Sequence, residues 1–356
     1  MLVKTSSVVA RSRSPSSMPP SKIPSLLGRT TSIIGLGCYA PERVITNEEL
    51  ALTLDTSDEW VRQRTGISER HVVPPGESTS DLGIAAAKAA LADARLDPCE
   101  IDMVITATVT PDQIMPATAA RVALEAGCVG AAAFDLSAGC TGFLYSLALA
   151  ASAVASGLHD NILVVGAEAI SKIVDWSDRS TAVLFGDAAG AAVVSTAKGA
   201  GHILGFELGG DGSGGDFLSL PAGGTRMPAT HETVDAGMHF VHMDGKEIYK
   251  FATRIIAPSA EAVLARCGKT VDDVDLFVPH QANLRIIEAG AKKLGIPMEK
   301  VYTNLQRYGN TSSASMPMCL TEARQEGRLH DGDLVLLMGF GGAGTIPMYG
   351  SSTRGG

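Results

Sequence analysis

A thiol, an imidazole and a carboxamide are the groups in this sequence whose settings suit chemistry: Cys140, His280 and Asn310. Cys140 follows the apolar stretch Ala131–Leu136 and precedes the run Thr141–Ser156, so it falls in a turn between a predicted strand and a predicted helix. Unpaired N–H groups at a helix N-terminus favour a thiolate. The flanking Ala138, Gly139 and Gly142 leave room for a substrate carbonyl. Mechanically this is a nucleophile elbow with sulfur in place of the serine oxygen. The competing reading is a small buried core cysteine. His280 closes the apolar run Leu276–Pro279, at the strand end where open α/β sheets place their sites; a surface histidine at a loop start is the alternative. Asn310 stands in the matching place one strand later, after Gly309 and before Thr311 and Ser312. There it reads either as a turn residue or as the third member of a site.

Other residues suit binding. Trp60 and Arg64 are four apart on a short predicted helix and share a face. The charged neighbours Asp58, Glu59 and Arg62 argue against a core position for Trp60. Arg285 and Lys292, seven apart, fall on one stripe of the helix after His280, with Lys293 beside them; a solvated charged face is the ordinary explanation of such residues. The turn Phe340–Gly344 is rich in glycine and suits close approach of backbone N–H groups to a ligand. The run Gly209–Gly215 lacks the strand-to-helix context of a dinucleotide site and is read as a loop.

The elements that must position these groups alternate along the chain. Strands are predicted at Ser32–Cys38, Met103–Thr108, Ala131–Leu136, Asn161–Ala167 and Asp333–Met338, with strand pairs around Ala182–Ser195. Helices are predicted from Thr46, at Ser57–Arg64, Leu82–Ala94 and Ala117–Glu125, and at Thr141–Ser156. Such alternation predicts an α/β layered fold. The last of these helices has almost no polar face, so it must be buried all round, as between two sheets. The plan also repeats: Ile101–Thr106 and Val274–Pro279 each follow a helix and an acidic turn, and each leads through a helix and a strand to a Gly-containing turn, Gly139-Cys140 and Gly309-Asn310. Two similar lobes are expected, 31–199 and 200–356, with their central helices packed together.

The bulk composition narrows the function classes. The chain has 356 residues, a net charge of −9 and 45% hydrophobic residues, an ordinary globular balance that does not suit phosphate backbones, so nucleic acid is a poor partner. The six cysteines, Cys38, Cys99, Cys128, Cys140, Cys267 and Cys319, form no CxxC pair and no His/Cys metal spacing. Reduced thiols in a cytosol-like compartment are expected, with no structural metal. Residues 1–30 are rich in Ser, Pro and Arg and contain no Asp or Glu, and they read as a disordered extension or an organellar targeting segment. The apolar stretch Phe143–Val154 is too short and too rich in Ala to span a bilayer, so no membrane association is expected.

Taken in order, several phrases from about Ser32 onward resemble β-ketoacyl-[acyl carrier protein] synthase III, a family of the thiolase superfamily. They are Asp55–Ile67 with Trp60 and Arg64, Gly139–Phe143 around Cys140, Asp178–Thr181, Leu184–Gly190, Val278–Ile287 around His280, and Gly309–Ser315. The resemblance implies a thiolase-like five-layer αβαβα fold and a cytoplasmic homodimeric acyltransferase, or an organellar one if residues 1–30 are a transit peptide. Its implied reaction is a decarboxylative condensation of a short acyl-CoA, acetyl-CoA above all, with malonyl-[acyl carrier protein], with no cofactor. By the same resemblance Cys140 is the nucleophile, and His280 with Asn310 stabilises the enolate. The N–H groups of Cys140 and Gly342 form the oxyanion hole. Trp60, Arg64, Arg179 and Asn283 bind coenzyme A, Trp60 against the adenine. Lys250, Gln281, Arg285, Lys292 and Lys293 dock the acyl carrier protein, and Met115 gates the acyl pocket across a dimer interface. After Gly342 the sequence departs from the family, with Ala343-Gly344-Thr345-Ile346-Pro347 in place of the usual residues. A paralogous condensing enzyme of polyketide or secondary metabolism therefore stays in view. So does a non-catalytic scaffold, which the intact Cys140 disfavours.

Overall fold

A computed structural model of the chain describes residues 29–196, 201–340 and 345–350. Residues 1–28, Gly342 and the segment Ala343-Gly344, each given a role or a weight in the sequence reading, lie outside the described residues.

Among the described residues, nine strands form one sheet: β1 (Ser32–Tyr39), β2 (Met103–Ala107), β3 (Ala132–Leu136), β4 (Asn161–Glu168), β5 (Ala188–Ser195), β6 (Gly201–Leu208), β7 (Leu276–Pro279), β8 (Leu334–Met338) and β9 (Thr345–Gly350). Their order is β7-β8-β9-β6-β1-β5-β4-β2-β3. The seam between the halves is thin, since β6 and β1 pair only at Ser32 with His202 and at Ile33 with Gly201. Each half has the same plan. In the first, β3, β2 and β4 run parallel, and β5 and β1 follow antiparallel. In the second, β7 and β8 run parallel, with β9 and β6 antiparallel after them. The counterpart of β3 is reduced to a single parallel bridge between Phe277 and Val301. Strand order and direction are thus alike in the two halves.

Among the described residues, seven helices of two turns or more fill the layers: α1 (Asp58–Thr65), α2 (Thr79–Ala94), α3 (Thr118–Ala126), α4 (Gly142–Ser156), α5 (Gly245–Arg266), α6 (Leu284–Leu294) and α7 (Ser315–Gln325). Period-two alternation assigns each strand two apolar faces. On β4, Leu163, Val165 and Ala167 face α2 and α3, while Ile162 and Val164 face inward with Phe143, Leu144 and Leu147 of α4. On β8, Leu334, Leu336 and Met338 face α5 and α6, while Val335 and Leu337 turn inward to Met316 and Leu320 of α7. The order across the molecule is thus α2/α3, sheet, α4/α7, sheet, α5/α6: the five layers of a thiolase-like α/β fold. The window Gly139–Ser156 is long and apolar enough to cross a membrane by composition, but 67% of it is buried inside this protein, as an all-apolar helix between two sheet faces must be.

Two local expectations are corrected. The stretch before β5 is not strand: Arg179–Ala182 is a helical turn, capped by Asp178 accepting from the Ser180 N–H, and a loop follows it. The Gly-rich run is not loop throughout, since Gly212–Phe217 is 3₁₀ helix started by the Asp211 side chain. In both, an aspartate that satisfies free N–H groups decides the local structure, a cue weaker in sequence than strand propensity or glycine content.

Candidate active site

The site is built where strand ends meet across the central layer. After β3 the chain makes a 3₁₀ turn, Gly139–Thr141, that runs into α4 and carries Cys140. After β7 it carries His280, whose backbone N–H donates to the carbonyl of Met338 at the end of β8, 2.7 Å away. Past the Val301 bridge and the helical turn Leu305–Tyr308 comes Asn310, just before the 3₁₀ turn Ser312–Ala314 and α7. Two of the turns that carry them pack together: Ser312–Ala314 lies against Gly139–Thr141. Gly339 sits so tightly on the start of α4 that a Cβ there would lie 2.9 Å from Leu144 Cδ1 and 3.2 Å from Thr141 Cγ2. The next residue, Phe340, meets the His280 ring edge-on, with centroids 5.3 Å apart at 69°.

Each side chain has a defined electronic state. Burial pushes the Cys140 thiol up to about 12, although the Ser312 hydroxyl and the residue's own N–H favour the thiolate. The acidic thiol expected from a helix N-terminus is thus overridden at rest, because desolvation of the charge outweighs the helix-end field. Burial drives His280 down to about 3, so its ring is neutral. Its Nδ1 lies 2.8 Å from Ser315 Oγ. That hydroxyl accepts the Gln281 N–H, at 3.5 Å, and so its proton is free to point at Nδ1. This assignment puts the ring proton on Nε2. Asn310 is fixed by its neighbours: its N–H donates to Leu184 O, its carbonyl accepts from Gly186 N–H, and its Oδ1 accepts from Ser312 N–H at 2.9 Å. The Nδ2 amide then points away from that turn as a donor. A neutral ring N–H and an amide N–H₂ are groups that suit stabilisation of an anionic oxygen.

The binding residues divide. The Trp60 ring has the Arg64 guanidinium 4.4 Å from its centroid and that of Arg179 4.7 Å from it, so an aromatic face and two planar cations form one platform. Arg179 Nη1 is held by the Asp55 carbonyl at 2.5 Å. Asn283 caps α6, accepting the Arg285 N–H, and donates to the carbonyl of Arg64, which ties α6 to that platform. Arg285, Lys292 and Lys293 are exposed on α6, and Lys250 is exposed on α5 with Glu247 as its partner. Lys293 spans the two helices by donating to the Thr253 carbonyl at 2.6 Å. Lys246 and Arg254, exposed one turn either side of Lys250, extend the basic face; the sequence reading missed them, though the i, i+4, i+8 spacing was visible. Gln281 does not belong to this face. It is fully buried, donating to the Pro279 carbonyl at 2.6 Å and accepting from Asn304 N–H at 3.0 Å. The amide that follows His280 clamps the inside of the fold rather than meeting a partner. Met115 is 81% exposed beside Ile114 at 85%, at the tip of the loop between β2 and α3.

Also missed was Glu168, the last residue of β4, fully buried behind Ser312. A carboxylate ending an apolar strand is the same signal that singled out His280.

Comparisons with known proteins give the family and the fold. Residues 134–212 match the family model for 3-oxoacyl-[acyl-carrier-protein (ACP)] synthase III, and residues 264–347 match the model of its C-terminal part. The chain is 51% identical over 309 residues to a β-ketoacyl-[acyl-carrier-protein] synthase III of Caldanaerobacter subterraneus, covering 87% of this chain and 93% of the relative. It is 53% identical over 313 residues to the enzyme of that name from Symbiobacterium thermophilum, covering 88% and 95%. Among solved structures, the 3-oxoacyl-[acyl-carrier-protein] synthase III of Aquifex aeolicus superposes with a TM-score of 0.82 at 43% identity, over 90% of this chain and 98% of the other. The priming β-ketosynthase of the R1128 polyketide pathway superposes at 0.84 with 36% identity, over 94% and 98%.

Proposed function

The chain belongs to the β-ketoacyl-[acyl-carrier-protein] synthase III family, the acyl-transferring condensing enzymes of fatty acid biosynthesis, and from that premise we propose how its own residues divide the reaction. Cys140 attacks a short acyl-CoA and becomes an acyl-cysteine. Malonyl-[acyl carrier protein] then enters with its thioester carbonyl on His280 Nε2–H and Asn310 Nδ2–H. The carbon–carbon bond to the carboxylate breaks, carbon dioxide leaves, and its electron pair forms an enolate held by those two donors. The enolate carbon attacks the acyl-cysteine and releases 3-oxoacyl-[acyl carrier protein]. The N–H of Cys140 receives the oxyanion of each tetrahedral intermediate; losing such a donor typically costs on the order of 10²–10³ in rate.

The observation that carries this reading is the meeting of turns: the turn Ser312–Ala314, just past Asn310, packs on the one that carries Cys140, and His280 rests on the Phe340 that follows a glycine packed on α4. The Trp60, Arg64 and Arg179 platform takes the adenine of coenzyme A, with Asn283 steadying it. The face of Lys250, Arg285, Lys292 and Lys293, widened by Lys246 and Arg254, receives the acidic carrier protein. The enzyme works as a homodimer in the cytoplasm. Support for the dimer lies at β3, an edge strand with Phe134 exposed, flanked by exposed Leu124 of α3 and the exposed pair Ile114 and Met115, a combination of open edge and apolar surface that calls for cover. Met115 then reaches a partner's acyl pocket.

A panel of straight, branched and longer acyl-CoAs with malonyl-[acyl carrier protein] tests the assignment. Turnover with acetyl-CoA or another short primer is the expected result. No turnover with any primer would move the chain to a secondary-metabolic role.

A further inference from the structure

Glu168 has no part in the scheme above, yet it is built into the site. Its Oε2 accepts from the Thr110 hydroxyl at 2.8 Å, the Val109 N–H at 3.1 Å and the Thr108 hydroxyl at 3.2 Å. Its Oε1 accepts from the Ser313 hydroxyl at 2.9 Å and the Ser312 hydroxyl at 3.1 Å. It makes no ion pair among the described residues, although it is fully buried. Ser312 hydrogen-bonds this carboxylate, and its turn packs against the turn that carries Cys140, where its hydroxyl favours the thiolate. It is held at φ +48°, a left-handed conformation that a serine adopts at a cost.

We propose that Glu168, acting through the hydroxyl of Ser312, takes up the Cys140 proton during acylation and holds it until the thiolate is expelled at the end of condensation. This rests on Cys140 being the acylated nucleophile. As Sγ bonds to the thioester carbon, the thiol proton moves to Ser312 Oγ and the hydroxyl proton of Ser312 moves to Oε1. The bond to the CoA sulfur then breaks, and CoA leaves as thiolate and takes a proton from solvent. When the enolate attacks the acyl-cysteine, the bond to Sγ breaks with its electron pair, and the proton returns by the same two steps. The enzyme is restored with no net change.

The electrostatics favour such a store. Burial raises the Glu168 carboxyl above the ordinary range, and its anionic form repels a thiolate at Cys140. Protonating Glu168 as the thiolate forms removes that repulsion. The groups facing it are Thr108, Val109 and Thr110 from the loop after β2, Ser312 and Ser313 from the turn before α7, and Cys140 as the titratable neighbour.

The test is single-turnover acylation by acetyl-CoA, read as acyl-Cys140 by mass spectrometry, from about pH 6 to about pH 9. Glu168→Gln removes the acceptor. Ser312→Gly removes the relay and suits the left-handed φ, so it keeps the question open if the first variant fails to fold. Both are expected to acylate about 10²-fold more slowly near neutral pH, the lower range of general-base effects, and to regain rate as hydroxide rises. Glu168→Asp is expected to recover part of the rate. A carboxylate that is only a buried charge gives the opposite sign: its removal frees the thiol to ionise, and Glu168→Gln acylates as fast as the parent or faster. That result overturns the proposal. Absence of acyl-Cys140 in the unaltered enzyme would instead sink the reading of Cys140 itself.

Discussion

The buried ring of His280 is neutral, and this has a cost visible in acid. Its folded value is driven down to about 3 by burial, whereas an unfolded histidine takes a proton near 6.5. Below 6.5 the unfolded chain therefore binds a proton that the folded chain refuses. Stability from this group is complete above 6.5 and falls as the pH drops towards 3, by about 1.4 kcal/mol per unit. Urea midpoints between those limits are expected to fall more steeply for the parent than for His280→Asn; equal slopes would contradict the buried neutral ring. How far a site can be read from residues alone is plain from this neighbourhood. Cys140, His280 and Asn310 stand out in the sequence as candidates because each interrupts an apolar or glycine pattern that has no structural need of it. The protonation state of the thiol was not legible there, since burial is a property of the assembled layers. Gln281 was misassigned because adjacency to His280 along the chain says nothing of direction, and it turns inward.

At the scale of elements, the loop bearing Asn310 depends on a glycine. Gly309 is at φ +67° and ψ −159°, a region essentially closed to other residues, and a Cβ there would lie 2.7 Å from the Leu184 carbonyl. Beneath it the side chain of the fully buried Arg70 donates to the carbonyls of Val183 and Ile45, which fixes the loop that Asn310 bonds to. Gly309→Ala is expected to cost about 1–3 kcal/mol of stability and to displace the Asn310 amide. Condensation should therefore fall far more than acylation of Cys140, as measured by comparing the two half-reactions; equal losses would mean that the loop serves folding only. The Gly-Asn pair marked this turn in the sequence. Arg70 did not stand out there, because its burial follows from contacts with carbonyls 25 and 113 residues away.

At the scale of the molecule, the fold leaves an open edge and a basic face. Phe134→Lys puts a charge on β3, which is expected to turn the dimer into monomer in sedimentation equilibrium and to lower activity with it; a dimer unchanged by the substitution would place the contact elsewhere. Reversing charge with Arg285→Glu is expected to raise KM for malonyl-[acyl carrier protein] by about tenfold, ~1.4 kcal/mol, and to leave KM for acyl-CoA alone. A similar rise for both substrates would point to damage of the platform that Asn283 ties to α6. The two-half architecture was readable because strand order leaves a repeated rhythm of apolar runs. The open edge was not, since exposure of β3 depends on which strands pair.

The division of labour between the lobes is tested most directly by trapping the acyl-enzyme. Unaltered protein, Cys140→Ala, His280→Ala and Asn310→Ala are each given acetyl-CoA and then malonyl-[acyl carrier protein], and intact mass is followed at both steps. The predicted result is an acetylated chain for all but Cys140→Ala, cleared by the second substrate in the unaltered protein and persisting in the His280 and Asn310 variants, with condensation slowed by about 10²–10³. Acetylation of Cys140→Ala, or normal clearance in both of the other variants, would contradict it.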